Sequence, residues 1–480
     1  MTGLSALELR ATVAAGTATA AEICGAALDR IERHAPPLNA FITTAGERAR
    51  ARAAALDRDP ASRTLPLAGV PVAVKDNICT RGVRTTAGSR VLEHYVPLYD
   101  ATVIERIEAA GGLIVGKTNC DEFAMGSSSE HSAFGAVRNP WDRERTAGGS
   151  SGGSAVAVAA RLVPLALGSE TGGSVRQPAA LCGIVGIKPT YGRVPRYGLI
   201  AFASSLDQVG AFGARAADVA ACLQIIAGRD PRDATSAAVP VDDYVQATTR
   251  DVAGVRVGVP RALINEGVEP GVRRAYEDAI EVLRSAGAEV RDVELPHSQY
   301  ATAVYTIVVM AEASSNLSRY DGVRYGTRAE GAGSLEEMYS GTRALFGHEV
   351  KRRVMLGTYV LSAGYYDAYY LKAQKVRSLI RQDFERALED VDVIATPTSP
   401  TTAFRLGERL DDPVQMYLAD VFTVSANLAG IPAISLPCGF SDGLPVGLQL
   451  TGRAWDEATL FRAGAAYERL TPWSAQAPRW

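Results

Sequence analysis

Apolar and polar positions along the chain follow two patterns, one typical of amphipathic helices and the other of buried strands. Ser5-Ala-Leu-Glu8 and Thr19-Ala-Ala-Glu22 both fit the capping box that opens a helix. Each precedes an amphipathic stretch, and the second stretch runs to about His34. Short apolar runs without alternation indicate strands that are buried on both faces. We predict such strands at residues 69–75, 113–117, 164–168, 255–260, 289–295, 391–398, 432–439 and 446–452.

Helical stretches lie between these strands. We predict a helix at residues 101–110, capped by Asp100 and stopped by two glycines. Further helices are expected at residues 154–161, 269–288, about 365–388 and from Glu457 onward. Buried strands that alternate with helices predict an α/β protein with a largely parallel or mixed central sheet. Residues 228–254 are the best candidate for a linker, although they would also fit a surface excursion within one domain.

The composition narrows the class of protein. A chain of 480 residues with 47% apolar and 21% charged residues is an ordinary globular protein with room for a large core. A net charge of -3 gives no basic excess with which the chain alone would bind nucleic acid or an anionic membrane. We find neither a signal-peptide pattern nor an apolar run of the roughly 18 residues that a membrane span needs.

The cysteines point to a reducing compartment. They are scattered, without a CxxC motif, which argues against a zinc knuckle or a disulfide framework. We expect them to fill the core of a cytoplasmic protein. The six are Cys24, Cys79, Cys120, Cys182, Cys222 and Cys438.

A first candidate for chemistry is the stretch from Gly148 to Ser154, GGSSGGS. Apolar, helix-forming sequence follows it directly, which disfavours a flexible linker. It lacks the Walker and GxGxxG patterns of phosphate-binding loops. It does contain GxSxG, the nucleophile elbow of α/β-hydrolases, but that motif also needs a downstream acid and histidine. His297 and His348 lie downstream, and neither is in a stretch typical of a catalytic turn.

A second candidate is GSETGGSVRQ, residues 168–177, which follows a predicted strand. The backbone N–H groups of Thr171, Gly172, Gly173 and Ser174 could converge on one oxygen, as an oxyanion hole requires. Glycine allows the backbone to approach a ligand without a Cβ clash. A tight structural turn is the alternative interpretation.

A third candidate is Lys75, at the end of a predicted buried strand. The chain has six lysines against 44 arginines, so a lysine in such a place is notable. Burial lowers the pKa of an amine, and a neutral lysine acts as a general base. Such a base can activate a serine without a histidine. The alternative is that Lys75 reaches solvent or pairs with Asp76. No lysine has a serine three residues before it, so the SxxK motif is absent.

Lys75, the GGSSGGS stretch and the ETGGS turn, in this order and spacing, resemble the amidase signature family of serine hydrolases. The resemblance implies one domain over residues 1–480, with a large mixed central β-sheet covered by helices on both faces. It implies a triad in which Ser174 is the nucleophile, Ser150 on a cis peptide bond is the bridge, and Lys75 is the neutral base. The N–H groups of residues 171–174 would form the oxyanion hole, and no metal or cofactor is implied for this chain.

Longer segments, among them GKTNCDEFAMGSSSEHSAFG and EVKRRVMLGTYVLSAGYYDAYY, are similar to the A subunits of glutamine-dependent tRNA amidotransferases, a branch of this family. The similarity implies a cytoplasmic glutaminase in a heterotrimer with B and C subunits. The B subunit would bind the mischarged Glu-tRNA(Gln) or Asp-tRNA(Asn) and use ATP and Mg²⁺ with the ammonia that the chain releases. Tyr305, Asp420 and Arg353 (or its neighbour Arg352) would bind glutamine.

The chain departs from the family pattern at two positions. Glu170 stands where the family usually has Asp, which puts its support of the nucleophile turn in question, and Ala147 stands where Pro is usual.

A stand-alone amidase for a small neutral amide is the main alternative function. Arg353 and Asp420 would distinguish the glutaminase from the stand-alone amidase, because a bare amide needs neither side chain for binding. A non-catalytic scaffold is disfavoured because Lys75, Ser150 and Ser174 are all present.

Overall fold

The central element of the fold is a mixed sheet of 11 strands. The structure is a computed structural model that describes residues 3–264 and 267–479. The strands lie in the order β1-β3-β2-β4-β6-β5-β10-β11-β9-β7-β8. They are β1 (Phe41–Thr44), β2 (Pro71–Lys75), β3 (Leu113–Thr118), β4 (Leu165–Glu170), β5 (Val185–Lys188), β6 (Gln208–Gly213), β7 (Arg256–Val259), β8 (Glu289–Asp292), β9 (Val393–Pro397), β10 (Ala433–Ser441) and β11 (Leu444–Gly452).

Helices connect these strands and cover the sheet. They are α1 (Ala6–Ala14), α2 (Ala20–His34), α3 (Gly46–Arg58), α4 (Thr102–Ala109), α5 (Gly152–Ala159), α6 (Arg176–Cys182), α7 (Ala216–Ile226), α8 (Tyr244–Ala247), α9 (Pro270–Ser285), α10 (Ala301–Leu317), α11 (Leu335–Ala344), α12 (His348–Leu361), α13 (Lys372–Asp390), α14 (Pro413–Leu418), α15 (Val424–Ala429) and α16 (Glu457–Leu470). A π-helical turn at Tyr366–Leu371 leads into α13.

Both faces of the sheet are buried. In β2, Val72 and Val74 contribute to one core, whereas Ala73 between them contributes to another. In β4 the same alternation separates residues 165 and 167 from residue 166. Successive strand residues point to opposite faces, so each face packs against its own layer of helices. This confirms the predicted α/β class, with a large mixed sheet covered on both faces.

The sheet combines two parallel units with antiparallel strands. β2 lies between β3 and β4, parallel to both, and β7 lies parallel to β8 and β9. β6 runs antiparallel to β4 and β5, and β10 runs antiparallel to β5 and β11. The carboxyl ends of parallel strands meet at one edge of a sheet, where ligand sites commonly form. The ends of β2 and β4 are therefore the part of the fold that matters for function.

Most local predictions are confirmed. The capping boxes at Ser5 and Thr19 are both formed, at the starts of α1 and α2. The predicted cap at Asp100 is wrong, because α4 begins after Ala101 without a side-chain cap. The Asp100 carboxylate instead accepts a hydrogen bond from the N–H of Arg81 and pairs with the guanidinium of Arg48 at 3.0 Å. A tertiary ion pair has thus taken the side chain that local sequence assigned to the helix.

Residues 228–254 include the short helix α8, which packs against α7 and α16. This packing favours a surface excursion over a linker. That residues 1–480 form one domain stays a prediction, and its residues 1–2, 265–266 and 480 lie outside the described part of the chain. All six cysteines are buried and free, as expected of core-filling side chains. Within the described residues, no helix is both long and apolar enough to cross a membrane.

Candidate active site

Two neighbouring parallel strands bring the candidate base and the candidate nucleophile turn together. Val74 of β2 is aligned with Leu167 of β4, so Lys75 ends its strand beside the last residues of β4. The ETGGS turn follows β4 directly and leads into α6. Residues that are far apart in sequence therefore meet at one edge of the sheet, as the chemistry requires.

Lys75 is fully buried and faces the serines. Its Nζ donates to Ser150 Oγ at 2.7 Å and to the carbonyl of Ser169 at 3.2 Å. Burial lowers the pKa of Lys75 to about 8, although nearby acidic groups oppose the shift. The structure does not show a pair between Lys75 and Asp76, because the Asp76 carboxylate lies 3.6 Å from the ammonium of Lys117 instead. With a pKa of about 8, about a tenth of Lys75 is neutral at pH 7 and about half at pH 8.

The GGSSGGS stretch is an ordered segment that forms a loop over its first four residues and continues into the first turn of α5. The peptide bond between Gly149 and Ser150 is cis, as the family resemblance implies. The N–H of Gly149 donates to the side-chain carbonyl of Gln177 at 3.0 Å, and Ser154 Oγ donates to the carbonyl of Leu167 at 2.9 Å. These bonds anchor the loop to α6 and β4. The linker interpretation of this stretch is therefore wrong.

Ser174 lies in the turn next to this loop. The N–H of Ser151 donates to the carbonyl of Ser174 at 3.2 Å, which ties the two serine-bearing segments together. Ser174 is 7% exposed and Ser150 is fully buried. Among the described residues, the hydroxyls of Ser150 and Ser174 share no hydrogen bond, and the N–H groups of residues 171–174 have no acceptor. The turn thus offers unpaired backbone donors beside a hydroxyl, as an oxyanion hole needs.

The two glycines of the turn are in contact with candidate substrate-binding side chains. A Cβ on Gly172 would lie 2.5 Å from the hydroxyl of Tyr305, and one on Gly173 would lie 2.5 Å from Asp420 Oδ1. Either position therefore has room only for glycine. Tyr305 comes from α10 and Asp420 from the segment between α14 and α15. The fold thus places both side chains directly against the nucleophile turn.

Asp420 has one oxygen satisfied and one without a partner. Ser127 donates its hydroxyl to Oδ2, while Oδ1 is buried and has no hydrogen-bond partner among the described residues. Burial raises the pKa of Asp420 to about 7, and the nearby Glu170 carboxylate acts in the same direction. An orphaned buried carboxylate oxygen is costly, and a cationic ligand would satisfy it.

Arg353 is the arginine that faces this pocket. It is buried on α12, and its positive charge acts on both Asp420 and Tyr305. Its Nε donates to Glu349 Oε1 at 2.7 Å. Burial acts to lower the pKa of Arg353, but Glu349, Tyr417 and Tyr305 together raise it above its usual value. Arg352 also binds Glu349, but its side chain is 38% exposed. The geometry therefore favours Arg353 over Arg352 as a ligand for a buried carboxylate.

Glu170 stabilises the turn that bears Ser174. Its Oε2 accepts hydrogen bonds from the N–H groups of Val175 and Arg176 at 3.0 and 3.1 Å, and its Oε1 accepts one from Arg176 Nε at 2.8 Å. Burial alone would raise the pKa of Glu170, but the Arg176 guanidinium reverses this and holds the pKa below its usual range. The longer side chain of Glu170 thus spans the turn completely, which answers the question its departure from Asp raised.

Three neighbouring residues were not found from sequence. Asp121 accepts from the N–H groups of Ser129 and His131 at 2.9 and 3.0 Å, and its own N–H donates to the carbonyl of Ser150. Asp207 accepts from the hydroxyl of Thr171 at 2.7 Å, and Ser169 supplies the carbonyl that Lys75 binds. Asp121 follows β3 at the same sheet edge, a position that the sequence could have indicated. Asp207 and Ser169 have no comparable sequence signal.

The nucleophile-elbow alternative requires a histidine close to the candidate serines. His297 pairs with Asp383 at 3.0 Å, and His348 lies exposed at the start of α12. Neither one hydrogen-bonds to Ser150 or Ser174 in the part of the chain that the structure describes, so a histidine-dependent nucleophile elbow is not formed. Within residues 3–264 and 267–479, no group of three or more His, Cys, Asp or Glu side chains is arranged to hold a metal ion.

The chain is similar to known proteins over most of its length. The model of the amidase family matches residues 22–461. The A subunit of the glutamyl-tRNA(Gln) amidotransferase of Chloroflexus aurantiacus is 58% identical over 478 residues, which cover 99% of this chain and 98% of that protein.

Two solved structures extend the comparison. The crystal structure of the glutamyl-tRNA(Gln) amidotransferase A subunit from Thermotoga maritima matches 94% of this chain and 92% of its own, with 45% identity and a TM-score of 0.79. Native peptide amidase from Stenotrophomonas maltophilia matches 99% of this chain and 98% of its own, with 34% identity and a TM-score of 0.84.

Proposed function

Because the chain belongs to the amidase family, we propose that it is the glutaminase subunit of a tRNA-dependent amidotransferase. It hydrolyses the side-chain amide of glutamine and supplies the ammonia to a partner subunit. The observation that carries the catalytic part is the 2.7 Å hydrogen bond from Lys75 Nζ to Ser150 Oγ, next to the glycine turn that bears Ser174. A buried base, a relay hydroxyl and a nucleophile turn at one sheet edge support serine-dependent amide hydrolysis.

The reaction follows from these positions. Ser174 Oγ attacks the side-chain carbonyl carbon of glutamine, while its proton moves through Ser150 to the neutral amine of Lys75. The N–H groups of the turn stabilise the negative oxygen of the tetrahedral intermediate. When the C–N bond breaks, the proton returns through Ser150 to the leaving nitrogen, and ammonia departs. Water then hydrolyses the glutamyl ester by the same relay and regenerates Ser174.

Substrate binding follows from the charges beside the turn. The α-ammonium of glutamine pairs with Asp420, whose free Oδ1 lacks a partner among the described residues. The α-carboxylate pairs with the terminal nitrogens of Arg353, because the guanidinium fork matches a carboxylate. Tyr305 packs against Gly172 and closes the side of the pocket. Opposite charges on opposite sides of the nucleophile suit a free amino acid better than a bare amide.

The partners and the cofactor belong to the rest of the assembly. The close relatives are named as A subunits of an amidotransferase, which supports an assembly of several subunits. We propose that B and C subunits complete it, that the B subunit binds the mischarged Glu-tRNA(Gln) or Asp-tRNA(Asn), and that ATP and Mg²⁺ act there. The cytoplasmic location stays a prediction.

A stand-alone amidase for neutral amides is the competing function. The similarity to a peptide amidase shows that the same fold accepts other amides. The higher identity to the amidotransferase subunits and the unpaired oxygen of Asp420 favour glutamine instead.

The test is ammonia release from glutamine, asparagine and a panel of neutral amides, with and without purified B and C subunits. Ser174→Ala should abolish release, and Asp420→Asn should raise the KM for glutamine about 10-fold or more while leaving slow turnover of neutral amides unchanged. Glutamine turnover that rises strongly with the partners supports the proposal. Fast turnover of a neutral amide by the chain alone, with glutamine ignored, would instead establish the stand-alone amidase.

A further inference from the structure

Exposed apolar side chains are concentrated in one segment. Of the 21 exposed large hydrophobic residues in the described part of the chain, nine lie within residues 355–379, so this surface differs from the rest of the molecule. Its centre is Met355, Leu356, Tyr359, Tyr365 and Tyr369, which we call the tyrosine face. Met355 is 72% exposed and Tyr359 is 47% exposed. Contiguous exposed apolar surface of this kind marks interaction sites in soluble proteins.

The tyrosine face is ordered by contacts among its own rings. The ring centroids of Tyr359 and Tyr365 are 4.3 Å apart, and those of Tyr365 and Tyr369 are 6.0 Å apart. Tyr359 follows Met355 by one helical turn on α12, so the two side chains lie on the same side of that helix. Large, preorganised amphipathic side chains bind a protein partner at low entropic cost.

Exposed positive charge flanks the tyrosine face along the chain. Three of the six lysines are fully buried, and the three exposed ones all lie close to the face in sequence: Lys351 is four residues before Met355, and Lys372 and Lys375 are three and six residues after Tyr369. Residues 351–381 contain one acidic residue, Asp367, although the whole chain has a net charge of -3. The face therefore has an apolar centre with a basic rim.

The tyrosine face is also close to the glutamine pocket. Arg353 points inward from α12, whereas Met355 and Leu356 on the same helix point to solvent. A Cβ on Gly357 would lie 1.9 Å from the carbonyl of Met310, so α12 is held tightly against α10, which carries Tyr305. The tyrosine face and Arg353 therefore lie on opposite sides of α12, a helix of about 10 Å diameter.

We propose that the tyrosine face docks the ammonia-using partner subunit of the amidotransferase, through a patch with an apolar centre and an acidic rim. This proposal rests on the proposed function. Ammonia that leaves the glutamine pocket reaches a partner seated here by a short route. The basic rim is complementary to negative charge on the partner, and this complementarity favours one orientation of the bound partner.

Two other occupants fit the face less well. A second copy of the chain, paired about a two-fold axis, would bring two surfaces of the same positive charge into one interface. A nucleic acid would stack its bases on open ring faces, but Tyr359, Tyr365 and Tyr369 already pack on one another, and aliphatic side chains lie among them. A protein with acidic groups around an apolar patch satisfies both the centre and the rim.

The test measures binding of the full-length chain to the purified B and C subunits. Met355→Asp places a charge in the centre of the face, and we expect the Kd to rise about 30-fold or more. The double variant Lys372→Glu, Lys375→Glu should raise the Kd about 10-fold and weaken its dependence on salt. The matched control is Leu98→Asp, at an apolar site that is 90% exposed and away from the face, which should bind normally. Glutamine hydrolysis by each isolated variant should equal that of the wild type.

The outcomes separate this proposal from the proposed function. If the wild type binds its partners and Met355→Asp binds equally well, the docking face is wrong and the glutaminase function stands. If the wild type hydrolyses no glutamine and forms no complex, both proposals fail. Binding of tRNA to the isolated chain that both face variants abolish, with the protein complex intact, would show a nucleic-acid surface instead. A wild-type dimer that Met355→Asp dissociates in light scattering would show that the face pairs two copies.

Discussion

The pH dependence of glutamine hydrolysis tests the assignment of Lys75 as the base. Burial lowers the pKa of Lys75 to about 8, and only the neutral amine accepts a proton. Activity should therefore rise with pH through the pKa, not fall. With a pKa of about 8, the neutral fraction is about 1% at pH 6 and about half at pH 8, so kcat should rise about 50-fold over that range.

The two kinetic parameters should respond differently. In the free enzyme the pKa of Asp420 is raised to about 7, and only its ionised form pairs with the α-ammonium of glutamine. The apparent constant kcat/KM should therefore report both groups, with a steeper rise below pH 7 than above it. Since bound ammonium keeps Asp420 ionised, kcat should report Lys75 alone. The variant Asp420→Asn should remove the steeper limb and keep the limb near pH 8.

The assay is ammonia release at saturating and at low glutamine between pH 6 and 9, with the fold checked by circular dichroism at each pH. A kcat that is flat over this range, or that falls as pH rises, would refute the neutral-lysine mechanism. Such a result would mean that Lys75 acts as a cation or that another group takes the proton of Ser174.

Three further predictions concern residues around the triad. Asp121→Asn removes a negative charge that favours the ammonium form of the base, so the acid limb of kcat should move to lower pH; an unmoved limb would contradict this. Gly172→Ala places a Cβ against Tyr305 and should lower kcat/KM about 100-fold with the fold unchanged by circular dichroism; near-normal kinetics would show that the contact yields. Glu170→Gln leaves the buried guanidinium of Arg176 without its carboxylate and should lower the free energy of unfolding in urea by about 3–5 kcal/mol, whereas a loss below about 1 kcal/mol would mean that the pair is not needed.

Local rules predicted the parts of the fold that local forces decide. The capping boxes at Ser5 and Thr19 formed because their partners lie three residues away. The meeting of Lys75 with the ETGGS turn, in contrast, depended on the parallel pairing of β2 with β4, which no local segment shows. Asp100 failed as a cap because a distant guanidinium, that of Arg48, competes for its carboxylate. Sequence reveals no such long-range competitor.

The substrate pocket depended on contacts that no short segment contains. Gly172 meets Tyr305, and Gly173 meets Asp420, although each pair is far apart along the chain. The choice between Arg352 and Arg353 could have been made from sequence, however. The buried face of α12 includes Arg353 together with Val350 and Gly357, three residues before it and four after, the spacing of an inward-facing stripe. Arg352 does not lie on that stripe.

One physical cause, burial, gives the pocket both its reactivity and its selectivity. Desolvation lowers the pKa of Lys75 to about 8, which makes its neutral form available as a base, and Lys75 binds Ser150 and a backbone carbonyl. Desolvation also raises the pKa of Asp420, but there the α-ammonium of glutamine supplies the missing charge and the missing donor. A neutral amide forms no such pair, so it lacks about 1–3 kcal/mol of binding free energy that glutamine gains, or about 5- to 150-fold in affinity. The pocket therefore prefers glutamine to a bare amide without any steric barrier, while the same base serves either substrate.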